Sequence, residues 1–450
     1  MSKYDVIVIG GGPAGYKSAL KLSELGKKVC IIDKSRKHIG GTCLNEGCIP
    51  VKSLLKSSEV FLTAKNAEKY GIQTGECSFD LKLINEKMKA NVELLNSGLA
   101  GTIKRAKIDI IEAEASFIDK NRIKAGGVEV EADYVIIASG SVTSVLPDIK
   151  PDGNKILTSG QILANEVLPE KLLIIGGGVI GCEFATFYSR LGSRVTIVEP
   201  MAELLPNEDA EVGKAIKREF KKTGITSDTG YIVKSLEYIE DKVKALISGK
   251  KEREEEFDLV LLAVGRRANI DGLDLENSRV EVENRHIKVN EYMQTTTDNI
   301  YAIGDVADGW MLAHTAYDEA MVAAKNIVNG NNKTPERTAI PRVVFSYPEV
   351  GAVGLTEEQA KDKFEINVQK NLFKPNGKAI IDGAGEGFVK VVSDVETGII
   401  LGASIVGKSA TELVHEFVLV VKNRMTVNDL ASCVHGHPTL SEVIWETVII

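Results

Sequence analysis

Asp5-Val-Ile-Val-Ile-Gly-Gly-Gly-Pro-Ala-Gly15 is a short apolar run that ends in a glycine-rich turn. Gly10, Gly12 and Gly15 have the spacing G-x-G-x-x-G, and an amphipathic pattern follows them. This order predicts a strand, a tight turn and a helix whose N-terminus can face a pyrophosphate. The next strand is expected to end at Asp33, whose carboxylate can hold the hydroxyl groups of a ribose.

The same arrangement recurs in the middle of the chain. The apolar run Lys171 to Ile175 leads into a second turn with Gly176, Gly178 and Gly181, and the following strand is expected to end at Glu199. Two complete copies predict an α/β fold with two Rossmann-like nucleotide-binding domains. No Lys or Arg occurs from Glu199 to Asp209, so a 2′-phosphate would meet a carboxylate without a counter-charge. The second site is therefore expected to prefer NAD over NADP.

The pattern changes after Pro341. Alternating β-type stretches surround a helical segment near Ser409 to Lys422, which predicts a C-terminal α+β module with an antiparallel sheet. Modules of this kind often serve for oligomerisation. The charged run Lys250 to Glu256 is expected to be the solvated edge of a hairpin.

Two cysteines, Cys43 and Cys48, are too far apart for a C-x-x-C motif and have no partner pair at zinc-finger spacing, so no metal site is expected. Their spacing fits one helix face, and the glycines before Cys43 could place it at a helix N-terminus, where thiolate chemistry is favoured. Two buried structural cysteines remain the alternative. The other cysteines are expected to be small packed hydrophobes: Cys30, Cys77, Cys182 and Cys433.

His437 precedes Pro438 and is followed by Glu442. A histidine with a pKa of about 6.5 can take a proton from a thiol near neutral pH, and a neighbouring carboxylate would orient it and raise its basicity. Read in isolation, His437 is more often a packed or surface histidine than a base.

Composition excludes several other classes of protein. The chain has 450 residues, a net charge of −8, 26% charged and 44% hydrophobic residues, as ordinary soluble proteins do. No basic stripe predicts nucleic-acid binding, and no apolar run approaches the roughly 18 residues that span a bilayer. The first strand starts almost at Met1, so we expect no presequence. Six cysteines make no disulfide framework, and a cytoplasmic enzyme is the simplest interpretation.

Taken together, Gly40-Gly-Thr-Cys-Leu-Asn-Glu-Gly-Cys-Ile-Pro-Val-Lys52 and His435-Gly-His-Pro-Thr-Leu-Ser-Glu442 resemble motifs of the pyridine nucleotide-disulfide oxidoreductases. Within that family the chain is most similar to the dihydrolipoamide dehydrogenases, along essentially its whole length. The resemblance implies a homodimer and four domains: a FAD-binding domain (1–145), an NAD-binding domain (146–264), a central domain that completes the FAD site (265–337) and an interface domain (338–450).

The resemblance also implies the role of individual residues. Cys48 would be the thiolate against the flavin and Cys43 the thiol that exchanges with substrate. His437 and Glu442 would act as an acid–base pair on the other subunit's disulfide. Lys52 and its carboxylate partner Glu183 would lie near the reactive edge of the flavin. Further FAD or NAD contacts are implied, beyond the glycines and carboxylates of the two turns, at Thr42, Ala115, Ser139, Gly140, Val233, Gly265, Gly304, Asp305 and Ala313.

The implied activity is oxidation of a protein-bound dihydrolipoyl group with reduction of NAD. The donor would be the E2 protein of a 2-oxo acid dehydrogenase complex or the H protein of glycine cleavage. The sequence departs from the family pattern at Ser139, Val51 and Tyr347, which puts substrate preference in question. A glutathione-type reductase is expected to have basic residues near Glu199 for NADP, and a mercuric reductase is expected to have a cysteine pair at its C-terminus. This sequence has neither feature. A non-enzymatic flavin- and NAD-binding subunit would need neither the cysteine pair nor the His437–Glu442 pair.

Overall fold

The structure is a computed structural model that describes residues 2–449. Its helices are α1 (Pro13–Glu24), α2 (Gly41–Asn45), α3 (Cys48–Lys65), α4 (Leu81–Arg105), α5 (Val179–Leu191), α6 (Ala210–Lys222), α7 (Ala313–Asn329), α8 (Glu357–Lys361), α9 (Gly377–Ile381), α10 (Ala410–Lys422), α11 (Val427–Ala431) and α12 (Glu442–Ile449).

The strands lie between these helices and form several sheets. They are β1 (Ser2–Ile9), β2 (Val29–Asp33), β3 (Asp109–Glu112), β4 (Ala115–Phe117), β5 (Arg122–Ala125), β6 (Val128–Ile137), β7 (Ser141–Thr143), β8 (Ile156–Thr158), β9 (Lys171–Ile175), β10 (Arg194–Glu199), β11 (Thr226–Thr229), β12 (Ile232–Ile239), β13 (Lys242–Ser248), β14 (Glu252–Phe257), β15 (Leu259–Leu262), β16 (Arg266–Ala268), β17 (Val282–Glu283), β18 (His286–Ile287), β19 (Ile300–Ala302), β20 (Arg342–Val344), β21 (Val350–Gly354), β22 (Ile366–Leu372), β23 (Phe388–Asp394) and β24 (Ile400–Val406).

The chain divides into two compact units. The first comprises Met1–Leu54, Lys82–Ser144 and Gly265–Glu336, and the second comprises Leu55–Leu81, Val145–Val264 and Arg337–Ile450. The four predicted domain ranges stay a prediction.

The first unit is built on a sheet with the strand order β3-β2-β1-β6-β5-β4, to which β19 adds beside β6. β1, β2, β3 and β19 run parallel to their neighbours, whereas β4, β5 and the start of β6 pair antiparallel. The middle of β1 is fully buried at Val6, Ile7 and Val8. Near-continuous apolar strands of this kind are expected where both faces of a parallel sheet are covered. The strand and helix predicted from the first glycine motif are thus confirmed.

The second unit contains a parallel sheet in the order β11-β10-β9-β15-β8, with α5 directly after β9. β9 and β10 lie where the second glycine motif predicts strands. The antiparallel group β12-β13-β14 follows, and the charged run from Lys250 falls in the β13–β14 hairpin with its side chains largely exposed.

The C-terminal part of the second unit is an antiparallel sheet in the order β20-β21-β24-β23-β22, with α10 packed against β21 and β24. A separate buried cluster, which includes Val389, Ile405 and Phe417, forms its core. The predicted fold class, two Rossmann-like α/β parts and a C-terminal α+β domain, is therefore confirmed. Between residues 2 and 449, none of the helices is long and apolar enough to cross a membrane.

Candidate active site

The two glycine turns have the same local geometry in both units. Gly10 and Gly176 have φ angles of +102° and +110°, where an added Cβ would come within 2.3 Å of a backbone carbonyl oxygen. Gly15 and Gly181 let the first turn of the helix pack on the preceding strand end, since a Cβ there would lie 1.8 and 2.0 Å from the oxygens of Gly10 and Gly176. Both turns therefore need glycine at these positions.

The carboxylate that follows each turn accepts a hydrogen bond from the backbone of that turn. Asp33 Oδ2 accepts a hydrogen bond of 2.6 Å from the Gly11 N–H, and Glu199 Oε2 accepts one of 2.6 Å from the Gly177 N–H. The second oxygen of Glu199 accepts from the Met201 N–H at 2.8 Å. These bonds fix each carboxylate at the carboxyl end of a strand, where a ribose is expected.

The residues of both turns fit dinucleotides. Gly12 and Gly178 open α1 and α5, and a Cβ at Gly178 would meet no protein atom within 4 Å. A phosphate group can therefore approach the backbone N–H groups at this helix N-terminus. The first turn would hold FAD and the second NAD, and the assignment of individual contacts stays a prediction.

A hydrogen-bonded network in the first unit joins several of the predicted flavin contacts. Ser141 Oγ donates to Asp305 Oδ2 at 2.5 Å, and Arg266 Nε donates to the Ser141 hydroxyl at 2.7 Å. Arg266 Nη2 lies 3.4 Å from the hydroxyl oxygen of Thr42. Burial lowers the pKa of Arg266, and Asp305 opposes that shift. Sequence reasoning missed Ser141 and Arg266, because nothing in their spacing signals that they meet.

The other predicted FAD residues lie on loops and element ends of the first unit. Ser139 Oγ donates to the Asn269 carbonyl oxygen at 2.7 Å, and the Gly304 N–H donates to Glu319 at 2.7 Å. Ala115 is the first residue of β4, and Ala313 is the first residue of α7. Gly140 lies just before β7 and has a positive φ.

Cys43 and Cys48 lie at two successive helix starts rather than on one helix. Cys43 is in the short helix α2, Cys48 begins α3, and Glu46 and Gly47 interrupt the helix between them. A Cβ at Gly47 would come within 3.0 Å of the Thr42 carbonyl oxygen, so a larger residue here would crowd the turn between the two helices. The prediction of one continuous helix face is wrong in this detail, but the N-terminal placement of Cys43 is observed.

Both cysteines are free thiols, and they interact directly. A hydrogen bond with Cys48 raises the pKa of Cys43 strongly, burial raises it further, and Lys52 opposes the shift. The thiolate form of Cys43 is thus opposed by the hydrogen bond and by burial in the reduced pair, although its place near a helix start favours that form. The separate roles of the two sulfurs stay predictions.

His437 is 79% exposed, and its Nδ1 lies 2.8 Å from Glu442 Oε1. The Thr439 N–H donates to the second Glu442 oxygen at 2.8 Å. This N–H and His437 lower the pKa of Glu442, in that order of importance. The predicted pair is thus formed: an ionised carboxylate orients an imidazole whose other nitrogen faces outward.

Four predicted residues keep roles that stay predictions. Glu183 is buried and accepts a hydrogen bond of 3.1 Å from the Phe345 N–H, whereas its pairing with Lys52 is untested. Val233 lies in β12 with its side chain in the core of the second unit. Gly265 follows β15 with a positive φ. Within residues 2–449, no group of three His, Cys, Asp or Glu side chains could hold a metal ion.

Comparison with known proteins identifies related sequences and folds. A family model described as pyridine nucleotide-disulphide oxidoreductase matches residues 4–320, and the model of the dimerisation domain of the same family matches residues 340–448. Dihydrolipoyl dehydrogenase of Chlorobaculum tepidum is 40% identical, with 99% of this chain and 96% of the relative covered. A Bacillus subtilis protein of the same name is 36% identical, with 100% and 98% covered.

Two solved structures share the fold at 27% sequence identity. LpdA from Mycobacterium tuberculosis has a TM-score of 0.91, with 100% of this chain and 99% of that chain covered. The HOCl-induced flavoprotein disulfide reductase RclA from Escherichia coli has a TM-score of 0.89, with 99% and 100% covered. Both likenesses extend over the full length of the chain.

Proposed function

The chain belongs to the pyridine nucleotide-disulphide oxidoreductase family, and from that premise we propose that it oxidises a protein-bound dihydrolipoyl group and reduces NAD. Membership confirms the predicted class, a flavoprotein disulfide oxidoreductase that uses FAD and NAD. The match to the family's dimerisation domain supports the predicted homodimer. The dihydrolipoyl substrate and the lipoyl-bearing partner belong to the proposal.

The observation that carries the proposal is the direct interaction of Cys43 with Cys48 at two helix starts. In the oxidised enzyme, one thiolate of the dihydrolipoyl group would attack Cys43 and form a mixed disulfide, while Cys48 leaves as a thiolate. The second substrate thiol then attacks the substrate sulfur of that mixed disulfide. Lipoyl disulfide is released, and the cysteine pair remains in the dithiol state that the structure contains.

Proton transfer in this exchange is assigned to His437. It would accept the proton of the attacking thiol at the outward nitrogen while Nδ1 stays bonded to Glu442. The chemistry that FAD supplies when bound is transfer of the electron pair from the reduced cysteines to NAD as a hydride. The chain's own contribution is to hold the cofactors at the two glycine turns and to control the protonation of the two sulfurs.

The test is a steady-state assay of the FAD-loaded protein with dihydrolipoamide, glutathione and other dithiols, each with NAD and with NADP. We expect reduction of NAD by dihydrolipoamide and little activity with glutathione. Cys43→Ser is the matched control, since it removes the exchanging sulfur but leaves Cys48 and both nucleotide turns. A Cys43→Ser variant that keeps dithiol turnover would show that the cysteines are structural and would overturn the proposal.

A further inference from the structure

A cavity of about 460 Å³ lies within the second unit, and the proposed function makes no use of it. Its wall is formed by the C-terminal part of α3, the segment before α4, the end of α5, the segment after α6 and Tyr347, which follows β20. None of the residues assigned above to the cofactors, the thiols or the proton transfer lines it. A volume of this size is typical of sites for small molecules.

Much of the cavity wall is apolar. Phe61 in α3 and Phe79 before α4 meet edge to face, with ring centroids 5.0 Å apart and an interplanar angle of 71°. Leu62 and Ile225 add aliphatic surface to the wall. An aromatic or bulky aliphatic group would therefore leave water on entering this cavity.

The charged side chains on the wall are all positive. Lys65 and Arg190 line the cavity, and no Asp or Glu does. Lys65 is exposed, with its Nζ 5.9 Å from the ring centroid of Phe61. The central carbon of the Arg190 guanidinium lies 5.2 Å from the ring centroid of Tyr347. Between residues 2 and 449, neither Lys65 nor Arg190 forms an ion pair, so the cavity favours an anion.

Arg190 has hydrogen-bond donors to spare. Its Nε is buried and has no hydrogen-bond partner among the described residues. Its Nη1 lies 3.5 Å from the Leu55 carbonyl oxygen, at the limit of a hydrogen bond. Most buried polar groups in proteins have a partner. The planar fork of a guanidinium matches the two oxygens of a carboxylate, so a ligand of that kind would satisfy Arg190.

The nearest carboxylates do not fill this role. The charges of Glu59 and Glu349 act on Arg190 from a distance, but neither side chain bonds to it. Glu59 forms an ion pair of 3.0 Å with Lys56, and Glu349 accepts a hydrogen bond of 2.7 Å from the Thr411 hydroxyl. Both are therefore engaged elsewhere.

Tyr347 holds the guanidinium away from the end of its own helix. The Tyr347 N–H donates to the Thr186 hydroxyl at 3.2 Å, one turn before Arg190 in α5. Side chains of a helix point toward its N-terminus, and Arg190 accordingly lies over the ring of Tyr347. An anion bound there would be clear of the last carbonyl groups of α5, whose partial negative charge would oppose it.

We propose that this cavity, here called the Arg190 cavity, binds a small organic carboxylate with an apolar body. The Arg190 guanidinium pairs with the carboxylate, and Phe61 and Phe79 cover the body. The site shares no residue with the two glycine turns or the cysteine pair, so the inference does not depend on the proposed function.

The test uses 2-naphthylacetate as the probe and measures its binding to the FAD-loaded protein by calorimetry. Saturating NAD is present, so that the probe does not enter the nucleotide site. Two related compounds separate the contributions: 2-naphthylacetamide lacks the charge, and acetate lacks the apolar body. We expect one saturable site for 2-naphthylacetate, at least about tenfold weaker binding of the amide and no detectable binding of acetate.

Arg190→Gln should weaken binding of 2-naphthylacetate at least about tenfold and leave binding of the amide unchanged, because only the charged hydrogen bonds are lost. Arg190→Lys keeps the charge without the planar fork and should have an intermediate affinity. Arg194→Gln is the matched control. Arg194 begins β10 and pairs with Glu170 outside the cavity, so this variant changes the net charge equally and should bind like the wild type.

Ser189→Phe tests the location of the probe. Ser189 lines the cavity, so the larger side chain should fill it and abolish binding of both naphthyl compounds. Circular dichroism and FAD content report whether each variant is folded. If Ser189→Phe does not fold, the comparison of Arg190→Gln with Arg194→Gln decides the matter alone.

Four results would overturn the inference. They are no saturable binding of 2-naphthylacetate up to about 10 mM, equal affinity for the acid and the amide, equal weakening in Arg190→Gln and Arg194→Gln, and undiminished binding to folded Ser189→Phe. A failure of dithiol turnover would contradict the proposed function and leave these binding results as they are.

Discussion

At the scale of single residues, the contact between His437 and Glu442 lowers the pKa of the carboxyl group and bears on the proton transfer proposed for His437. The pKa of Glu442 is lower than the usual value for a glutamate, because the Thr439 N–H and His437 both stabilise its charged form. It is therefore a carboxylate throughout the pH interval near 6.5 in which a histidine titrates. The imidazolium that forms when His437 takes a proton is stabilised by this charge.

Glu442→Gln should weaken this support without removing the side chain that packs against the loop. We expect the acidic limb of the pH dependence of dithiol kcat/KM to move to lower pH, because the amide no longer stabilises the protonated form of the proposed base. We also expect kcat/KM at neutral pH to fall at least about tenfold. Reduction of FAD by NADH is the control, and it should be unaffected. An unchanged pH profile would remove Glu442 from the mechanism.

Glu199 sets the second prediction at this scale, which concerns the choice between NAD and NADP. Its carboxylate is buried and accepts hydrogen bonds from the N–H groups of Gly177 and Met201, which hold it at the end of β10 where a ribose is expected. We expect NAD to be favoured by at least about 1.4 kcal/mol, roughly a factor of ten, from charge repulsion. Comparable kcat/KM values for NAD and NADP would contradict the assignment.

At the scale of elements, a buried ion cluster ties the Rossmann part of the second unit to its antiparallel sheet. Lys390 in β23 is 2% exposed, and its Nζ lies 3.0 Å from both oxygens of Asp209, the N-cap of α6. It also lies 2.5 Å from Glu357 at the start of α8. Removing one member of such a cluster leaves the others buried without compensation.

Lys390→Met is therefore expected to lower the free energy of unfolding by about 3–5 kcal/mol. The measurement is denaturant unfolding of the holoprotein. Lys370→Met is the control, since Lys370 lies on the neighbouring strand β22 and forms a more exposed pair with Glu211. That variant should lose less than about 1 kcal/mol. Similar losses in both variants would show that burial of the cluster adds nothing.

Acid should weaken the same cluster. Hydrogen bonds from Lys361 and Lys390 lower the pKa of Glu357 from 4.5 to about 2. A carboxyl group whose pKa is lowered on folding stabilises the protein above its unfolded pKa and loses that contribution as pH falls through its folded pKa. Stability should therefore decline between about pH 4.5 and 2. Glu357→Gln should flatten this part of the profile, and an equally steep decline in that variant would assign the acid sensitivity to other groups.

How far the sequence predicts the elements depends on whether their signals are local. The strands around Gly10 and Gly176 and the carboxylates Asp33 and Glu199 follow from fixed spacings, so their geometry could be predicted. The helix break before Cys48 could not, because it depends on how closely Gly47 approaches the Thr42 carbonyl. Long-range contacts were also out of reach. Three contacts join distant parts of the chain, and no sequence spacing predicts them: Arg266 with Ser141, Tyr16 with Tyr317 and Lys390 with Asp209.

At the scale of the whole molecule, the family resemblance implies that each His437 acts on the cysteines of a second chain, and we propose the same here. Cys43 and His437 belong to different units of one chain, and residues 340–448 match the dimerisation domain of the family. Cyclic twofold dimers are the commonest assembly of soluble proteins. Two inactive variants with defects on opposite sides of such a shared site should then complement each other.

Mixed dimers of Cys43→Ser and His437→Gln provide the test. About half of the dimers in a random mixture are mixed, and each has one site with both wild-type groups, so roughly a quarter of wild-type activity per site should return. The measurement is dithiol turnover of co-expressed, FAD-loaded protein, with each parent variant alone as the control. Mixed dimers no more active than either parent would show that the site is built within one chain.

The exposure of His437 has a further meaning on this shared-site proposal. The contact with Glu442 orients this base, but one chain alone leaves the imidazole 79% exposed to water. The second chain would cover the exposed imidazole, so turnover would depend on the fraction of the protein that is dimeric. Dilution would then act as an off-switch, and the abundance of the protein, as well as the supply of dithiol, would govern the flow of electrons to NAD.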